Sequence, residues 1–307
     1  MLLGVPNPGS WQIFLQRPDN IGLSIQEAKQ KYFRELALFE NEQREKQRLY
    51  QQLIQSRGSG TGGVGFTGQG IDGPIAGATV LAIAEGATTT TDANGFFTFN
   101  FIPAGDIELT GGTDTVTGVA FAGTLKAPKG STIISPITTA IKEIMDLGKS
   151  EDEATTDFFE FAKKVYDIDV PAGKRERVKS ENFINLAATD SDFLKVVGIA
   201  TTLESAAEVA GEAVNQAVAS KTLSRGKRDF YAQIGQICRD NDFKTNTVDT
   251  NAKNTFRNTL MRLDSNVSSA NAVAIREALD NQLTRVKEIV NDTNMDTKFG
   301  VTSVMAQ

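Results

Sequence analysis

Residues 72–99 read DGPIAGATVLAIAEGATTTTDANGFFTF, and this stretch decides the fold of the chain. Side chains alternate between the two faces over residues 79–84, and residues 88–91 are β-branched throughout, so both segments favour an extended backbone. Asp-Ala-Asn-Gly at 92–95 then precedes Phe96–Phe99. Its Asn-Gly pair tolerates the positive φ angles that a tight hairpin turn requires. The pattern predicts strands on both sides of a hairpin turn.

Two motifs in this stretch carry a family resemblance: G-x-I-x-G-A-x-V at residues 73–80 and T-D-x-N-G-x-F-x-F at residues 91–99. Together they resemble the opening of a carboxypeptidase-regulatory-like or collagen-adhesin B-type β-sandwich. The resemblance implies a prealbumin-like antiparallel β-sandwich over residues 71–134, in which the 92–95 hairpin positions a core aromatic side chain. Residues 111–128 resemble a continuation seen in repetitive bacterial adhesins and in virion proteins of marine phages.

The composition bounds the size and class of the protein. The 307 residues suffice for two or three modules, and an apolar content of 40% permits a hydrophobic core. A net charge of −6 argues against a protein whose main task is to bind nucleic acid, because phosphate binding needs a clustered basic face. Cys238 is the single cysteine, so the chain has no internal disulfide.

The residue types that most catalytic sites need are missing. The chain contains no histidine, which excludes Ser-His-Asp and Cys-His catalysis and removes the commonest metal ligand. A carboxylate pair that hydrolyses glycosides would need aromatic residues to hold the sugar, and the chain has one Trp and four Tyr. We therefore predict a protein that is not an enzyme and has no cofactor.

Calcium is the one metal that the sequence brings into consideration. Asp92, Asn94 and Gly95 share the first residues of an oxygen-rich cation loop, but the distal glutamate of such a loop is missing. A hairpin turn explains the same residues, and we predict no metal site.

The first predicted segment, residues 1–57, is an arm followed by a long helix. Trp11 and Phe14 belong to an apolar cluster among prolines. Such an arm docks on a neighbouring molecule or packs Trp11 against the chain's own helix, and the sequence leaves both open. Ser24-Ile-Gln-Glu is a capping box, which predicts a helix from Ser24 to about Arg57.

Apolar residues recur along this helix at spacings of three and four. We expect the stripe to pair with copies of the chain or with a larger body, and folding back on the C-terminal half is the alternative. The residues predicted to mediate oligomerisation or anchoring are Trp11, Phe14, Ile25, Tyr32, Leu36, Phe39 and Leu53.

The rest of the chain divides by composition into four further segments, which make it a multi-domain α+β protein. A glycine-rich linker is predicted at 58–70, the β-module at 71–134, an all-α region at 135–292 and a C-terminal arm at 293–307. Ser135 and Pro136 mark a helix start. Further helices are predicted at 154–166, 193–219, 229–239, 252–263 and 270–291. The basic residues of 173–179 are interpreted as a solvated loop.

These features lead to a hypothesis about function. The amino terminus lacks the pattern of a signal peptide, and no window reaches the roughly 20 apolar residues of a membrane span, so we expect a soluble protein made without a leader. The segment from Gly22 to Leu53 resembles amino-terminal portions of phage virion proteins. We expect a structural component of a tailed phage virion, in a tail or neck fibre, a baseplate or collar, or a head decoration.

The expected partners are copies of the same chain and other virion proteins, with no nucleic acid and no membrane. A host-surface glycan is kept as a further candidate partner. Two alternatives remain open: a bacterial surface adhesin or glycan- or protein-binding module, and a cytoplasmic scaffold.

Overall fold

A computed structural model of the chain describes residues 18–20, 23, 27–28, 31, 65–115, 118–187, 189–217 and 222–240. The chain divides into two units, residues 1–65 with 294–307 and residues 66–293. In the first unit, Pro18–Asn20 is a 3₁₀ helix, and Lys31 Nζ donates a 2.7 Å hydrogen bond to Asn20 Oδ1. Glu27, Ala28 and Lys31 are helical, within the range of the predicted long helix.

The second unit is a mixed α+β structure. Its strands are β1 (Phe66–Gly70), β2 (Ile75–Ala76), β3 (Thr79–Ala82), β4 (Ala87–Thr90), β5 (Phe96–Phe99), β6 (Ile107–Thr110), β7 (Thr113–Asp114), β8 (Thr124–Ala127) and β9 (Ile133–Ile134). Within the described residues they form three sheets, ordered β5-β1-β9, β2-β7 and β4-β3-β6-β8. Only the β1–β9 pair is parallel in these three sheets.

One apolar cluster draws side chains from all three sheets. Its members include Ile75, Val80, Phe97, Leu109 and Ile134, all of them buried. They sit at alternate positions of their strands, as the period-two pattern of β-structure requires. The strands are therefore held by burial of one shared apolar cluster, hereafter the strand core.

The turn at residues 92–95 forms, but the predicted hairpin is wrong. Asp92 Oδ1 accepts the backbone N–H groups of Asn94 and Phe96 at 2.8 and 2.9 Å, and Gly95 has a φ of 77°. Strand β4 pairs with β3, however, whereas β5 pairs with β1. The turn thus passes the chain from one sheet to another, because its local chemistry sets the reversal and not the partner strand.

Two glycines of β1 make room for side chains of neighbouring strands. A Cβ placed at Gly68 would lie 2.4 Å from Phe97 Cζ, and one at Gly70 would lie 2.3 Å from Leu109 Cδ1. Gly68 therefore leaves room for Phe97 of β5, and Gly70 leaves room for Leu109 of β6. The linker predicted at 58–70 is wrong for its last five residues, because they form strand β1.

Six α-helices follow the strands within the described residues. They are α1 (Pro136–Asp146), α2 (Glu151–Tyr166), α3 (Ala172–Arg175), α4 (Phe183–Ala187), α5 (Ser191–Ala217) and α6 (Leu223–Asp240). The helices predicted at 154–166, 193–219 and 229–239 are confirmed with shifted ends. Those predicted at 252–263 and 270–291 lie outside the described residues.

The predicted helix start at Ser135 is confirmed. The Ser135 side chain accepts the N–H of Thr138, the Thr138 hydroxyl accepts the N–H of Ser135, and Pro136 occupies the first turn. This reciprocal cap satisfies two amides that would otherwise lack partners. Helix α1 therefore begins directly after strand β9.

The solvated loop predicted at 173–179 is wrong. Helix α3 is followed at once by a 3₁₀ helix, Glu176–Lys179, in which Val178 and Lys179 are buried. Lys179 Nζ pairs with Glu151 and Glu176, both at 2.5 Å, and the Lys179 carbonyl accepts the Thr132 N–H. The distant Glu151 and the nearby Glu176 neutralise the charge of Lys179, so this end of the segment packs instead of extending into solvent.

Candidate functional site

Helices α5 and α6 bring a lysine, a glutamate and a tyrosine together inside the protein. The side chains of Lys227 and Glu204 are 2% and 8% exposed. Glu204 Oε1 pairs with Lys227 Nζ, and Glu204 Oε2 accepts a 2.7 Å hydrogen bond from the Tyr231 hydroxyl. Lys227 Nζ also lies 4.7 Å from the ring centroid of Phe121, within cation–π range. Both carboxylate oxygens of Glu204 therefore have partners.

Glycines on both helices make this approach possible. A Cβ placed at Gly226 would lie 2.6 Å from Gly211 Cα, so the two backbones touch at the crossing of α5 and α6. A Cβ at Gly211 would lie 3.1 Å from Lys227 Cγ, and one at Gly123 would lie 3.3 Å from Lys227 Cε. The alkyl stem of Lys227 thus runs between α5 and the loop that precedes β8.

Three more carboxyl groups lie close enough to one another or to this ion pair for their charges to interact. Asp72 follows β1, Asp114 ends β7 with its Oδ1 2.3 Å from a Cβ placed at Gly73, and Glu208 Oε1 lies 3.8 Å from Lys227 Nζ. The charge cluster, as we call it, consists of Asp72, Asp114, Glu204, Glu208, Lys227 and Tyr231. Through Lys227, which lies against Phe121 and Gly123, it connects α6 to the loop that precedes β8.

The surrounding protein raises the pKa values of three of these groups. Burial, and next the negative charge of Glu204, raises the pKa of Asp72 well above its ordinary value. Burial followed by Glu204 also raises the pKa of the Tyr231 phenol, which stays a neutral donor. The pKa of Glu208 is raised by burial first, although that residue lies at the exposed rim.

These protonation states decide what the cluster can do. A general base needs a free lone pair directed at a substrate, whereas both oxygens of Glu204 are occupied inside the protein. A neutral phenol and a paired lysine hold Glu204 instead. The arrangement is that of a polar joint between helices and strands.

A second polar joint connects α1 to β8. Thr139 Oγ1 accepts the Lys126 N–H at 2.8 Å, and Thr138 Oγ1 donates to the Lys126 carbonyl at 2.9 Å. Lys126 Nζ also pairs with Glu143 Oε1 at 2.8 Å. The edge of the four-stranded sheet is therefore tied to α1 by both backbone and side chain.

Sequence reasoning placed the functional residues elsewhere. Trp11, Phe14, Ile25, Tyr32, Leu36, Phe39 and Leu53 lie outside the described residues, so their role in assembly stays a prediction. The charge cluster was missed. Its available signals were Glu204 in an alanine-rich helix and Lys227 four residues before Tyr231, a spacing that puts both on one helix face.

The Asp92 turn is explained by its own hydrogen bonds, since one carboxylate oxygen accepts two backbone amides. In the part of the chain that the structure describes, no three acidic, cysteine or histidine side chains form a group suited to a metal ion. Over the same residues, no helix combines the length and the apolar character needed to cross a bilayer.

No protein-family model, curated protein or solved structure matches the chain.

Proposed function

We propose that the chain is a non-enzymatic structural component of a tailed phage virion that assembles with copies of itself and with other virion proteins. In this proposal the strands of the second unit form a prealbumin-like sandwich module, and the N-terminal arm and helix supply the assembly contacts. The tail or neck fibre, the baseplate or collar and the head surface are the candidate positions.

The observation that carries the non-enzymatic part is the use of the buried charges. Lys227, Glu204 and Lys179 are each buried and each engaged in ion pairs within the second unit. Buried ion pairs cost desolvation, and they persist where partners satisfy every group. Groups that an enzyme would direct at a substrate here hold helices and strands together, which supports a structural role.

The virion part rests on sequence. The order of segments, from arm and helix through a glycine tract to a β-module, a helical region and a second arm, supports assembly into a particle. Particle components are present in many copies and obey symmetry. The resemblances of residues 22–53 and 111–128 to phage virion proteins point in the same direction.

The test is the mass of the full chain in solution, measured by light scattering after gel filtration. We expect a defined homo-oligomer. The paired substitution Leu36→Glu with Phe39→Glu is expected to reduce it to monomers, because it charges the predicted apolar stripe. Gln43→Glu is the matched control, since it lies in the polar middle of the same predicted helix and leaves assembly unchanged.

Deleting Met1–Arg57 extends this test. We expect a folded, soluble remainder that no longer assembles. A remainder that unfolds, judged by its circular dichroism melt, would show that the helix is part of the fold and would contradict the anchoring role. A full chain that stays monomeric and binds cells or sugars would instead favour the adhesin alternative.

A further inference from the structure

The two larger sheets end in strands β5, β9, β8 and β4, and the first three of these ends are covered or short. At β8, the Thr139 hydroxyl accepts the Lys126 N–H, and the Thr138 hydroxyl donates to the Lys126 carbonyl. At β5, the Asp92 carboxylate accepts the Phe96 N–H at 2.9 Å, and the Asp92 N–H donates to the Phe96 carbonyl at 2.7 Å. Strand β9 has only two residues and leads directly into α1.

Strand β4 is the remaining end, and its outer edge is open. The Thr91 N–H donates to the Ala78 carbonyl at 2.9 Å, so the backbone groups of Thr91 face β3. Because the backbone direction alternates along a strand, those of Thr89 also face β3, whereas those of Thr88 and Thr90 face outward. In the part of the chain that the structure describes, no strand pairs with this outer side. Strand β4 therefore presents the backbone donors and acceptors of an edge strand.

This edge lacks the features by which proteins usually prevent sheet edges from pairing. Residues 86–91 read GATTTT, with no charge and no proline. The register with β3 is continuous from Ala87 to Thr90, so no bulge bends the strand away. The nearest carboxylate before the strand, that of Glu85, is turned into its own loop, where it accepts the Ala104 N–H at 2.7 Å. The strand is therefore uncharged, regular and open to pairing.

The outward groups of β4 are complementary to themselves. In an antiparallel pair about a two-fold axis at Thr89, Thr88 lies opposite Thr90 of the second copy, and the two residues exchange both N–H···O=C bonds. Threonines directly opposite each other are a favourable pair, and no like charges meet. A symmetric shift of this register would place Gly86, which has a φ of 63°, or Asp92, whose N–H is bonded inside its own turn, opposite an outward threonine. One symmetric register therefore uses every outward group of the strand.

We propose that β4 is a self-association surface, at which the β4 strands of two copies pair antiparallel about Thr89 and join their four-stranded sheets into one. This interface belongs to the second unit and is distinct from the predicted contacts of the N-terminal arm and helix. A four-residue edge is small beside the roughly 1,200–2,000 Å² that stable complexes bury, so the pairing is weak in dilute solution. It strengthens where copies are held at high local concentration.

Disulfide trapping in the full chain tests the register. Thr89→Cys places two cysteines opposite each other at the two-fold axis, with Cα atoms about 4.5 Å apart, within the range of a disulfide. Thr88→Cys places them about 8 Å apart, beyond that range, although Thr88 is the more exposed position. Under a mild oxidant, we expect covalent dimers of Thr89→Cys to form at least about tenfold faster than those of Thr88→Cys on non-reducing gels. The parent chain, whose Cys238 is buried, gives the background.

A mixture of two variants checks the same register from the other side. Thr88→Cys and Thr90→Cys each place their own cysteines too far apart, but in a mixture the two positions face each other at about 5.5 Å. We expect the mixture to form dimers faster than either variant alone.

A charge variant shows whether the edge itself is needed. Thr88→Lys with Thr90→Lys, added to the Thr89→Cys chain, sets like charges directly opposite each other and is expected to abolish trapping. Asn100→Lys with Thr110→Lys is the matched control, because it adds the same charge at exposed positions outside β4 and leaves trapping unchanged. Circular dichroism confirms that both chains remain folded.

The outcomes distinguish this interface from the proposed N-terminal assembly. Equal trapping of Thr89→Cys and Thr88→Cys, or unchanged trapping in the lysine variant, would overturn the β4 interface. Trapping of Thr89→Cys at high protein concentration in the Leu36→Glu, Phe39→Glu background would support it without the N-terminal contacts. Absence of trapping in both backgrounds, with an oligomer that still depends on Leu36 and Phe39, would overturn the β4 interface and leave the proposed assembly in place.

Discussion

The strand core and the charge cluster lie in the same unit and are built by opposite means. The strand core buries apolar side chains such as Val80 and Leu109, which need no partner atoms. The charge cluster buries Lys227 and Glu204, each of which depends on the other and on Tyr231. Shortening an apolar side chain lowers the free energy of unfolding in proportion to the atoms removed and the cavity left. Removing one member of a buried ion pair costs more, because the other charge stays buried without a partner.

The contributions of the two regions to stability also depend differently on pH. Nothing in the apolar contacts of the strand core titrates, so their contribution to stability is constant across pH. The charge cluster contains groups with shifted pKa values, so its contribution changes with proton concentration. The two regions can therefore be distinguished by experiment as well as by composition.

Lys227→Ala is expected to have the largest effect. It leaves the Glu204 carboxylate buried without its cation, which costs about 3–5 kcal/mol in the free energy of unfolding. Denaturant titration followed by circular dichroism measures this change. The double variant Lys227→Met with Glu204→Gln removes both charges and keeps an acceptor for Tyr231, and we expect it to lie within about 1 kcal/mol of the parent. Equal losses in the two would show that packing, and not charge, holds the joint.

Leu109→Ala probes the strand core and is expected to cost about 3 kcal/mol, because it leaves a cavity in a fully buried site. Leu81→Ala is the matched control, since Leu81 on the neighbouring strand is only partly buried and should cost less. The cost of Leu109→Ala, measured by denaturant titration at pH 5 and pH 8, should be the same. A pH-dependent cost would break the distinction between the two regions.

Gly95→Ala is expected to cost about 2 kcal/mol. The new methyl group would lie 2.7 Å from the Gly70 carbonyl oxygen, and the residue already has a φ of +77°. Gly86→Ala shares the positive φ, at +63°, but meets no atom within 4 Å, so only the backbone strain of about 1 kcal/mol remains. Thermal melts of the two variants compare them directly. Equal costs would show that the turn does not pack against β1.

Ser135→Ala is expected to cost less than Lys227→Ala, Leu109→Ala and Gly95→Ala, about 1 kcal/mol, because it removes the cap at the start of α1. Ser150→Ala removes the corresponding cap of α2, which is exposed and competes with water. We expect the buried Ser135 cap to contribute more than the Ser150 cap in thermal melts. The reverse order would mean that the strand-to-helix connection adds nothing beyond local capping.

Local features of the fold were predictable from neighbouring residues. The turn at 92–95, the helix start at Ser135 and three of the helices follow from signals only a few residues long. The pairing of β5 with β1 was not predictable in this way, because it brings Phe97 against Gly68, which lies more than twenty residues before it. A glycine tract has the same composition whether it is a linker or a tightly packed strand.

The charge cluster was even less predictable from the sequence than the strand pairing. Asp72, Asp114, Glu204 and Lys227 are spread over more than 150 positions, and each is an ordinary charged residue in its own segment. The burial of Glu204 and Lys227 depends on the crossing of α5 and α6 at Gly211 and Gly226. No periodicity signals such a meeting, since the helix and strand periods report a face and not the neighbour that covers it.

By itself the sequence determined the turn at 92–95, the start of α1, the approximate positions of α2, α5 and α6, the absence of histidine and the single cysteine, because these depend on residue identity and short-range sterics. Only the tertiary structure decided which strands pair, that Val178 and Lys179 are buried, and that Lys227 is enclosed with Glu204. These outcomes arise from burial and electrostatics between segments distant in the chain, where the free energy depends on distances that no local pattern contains.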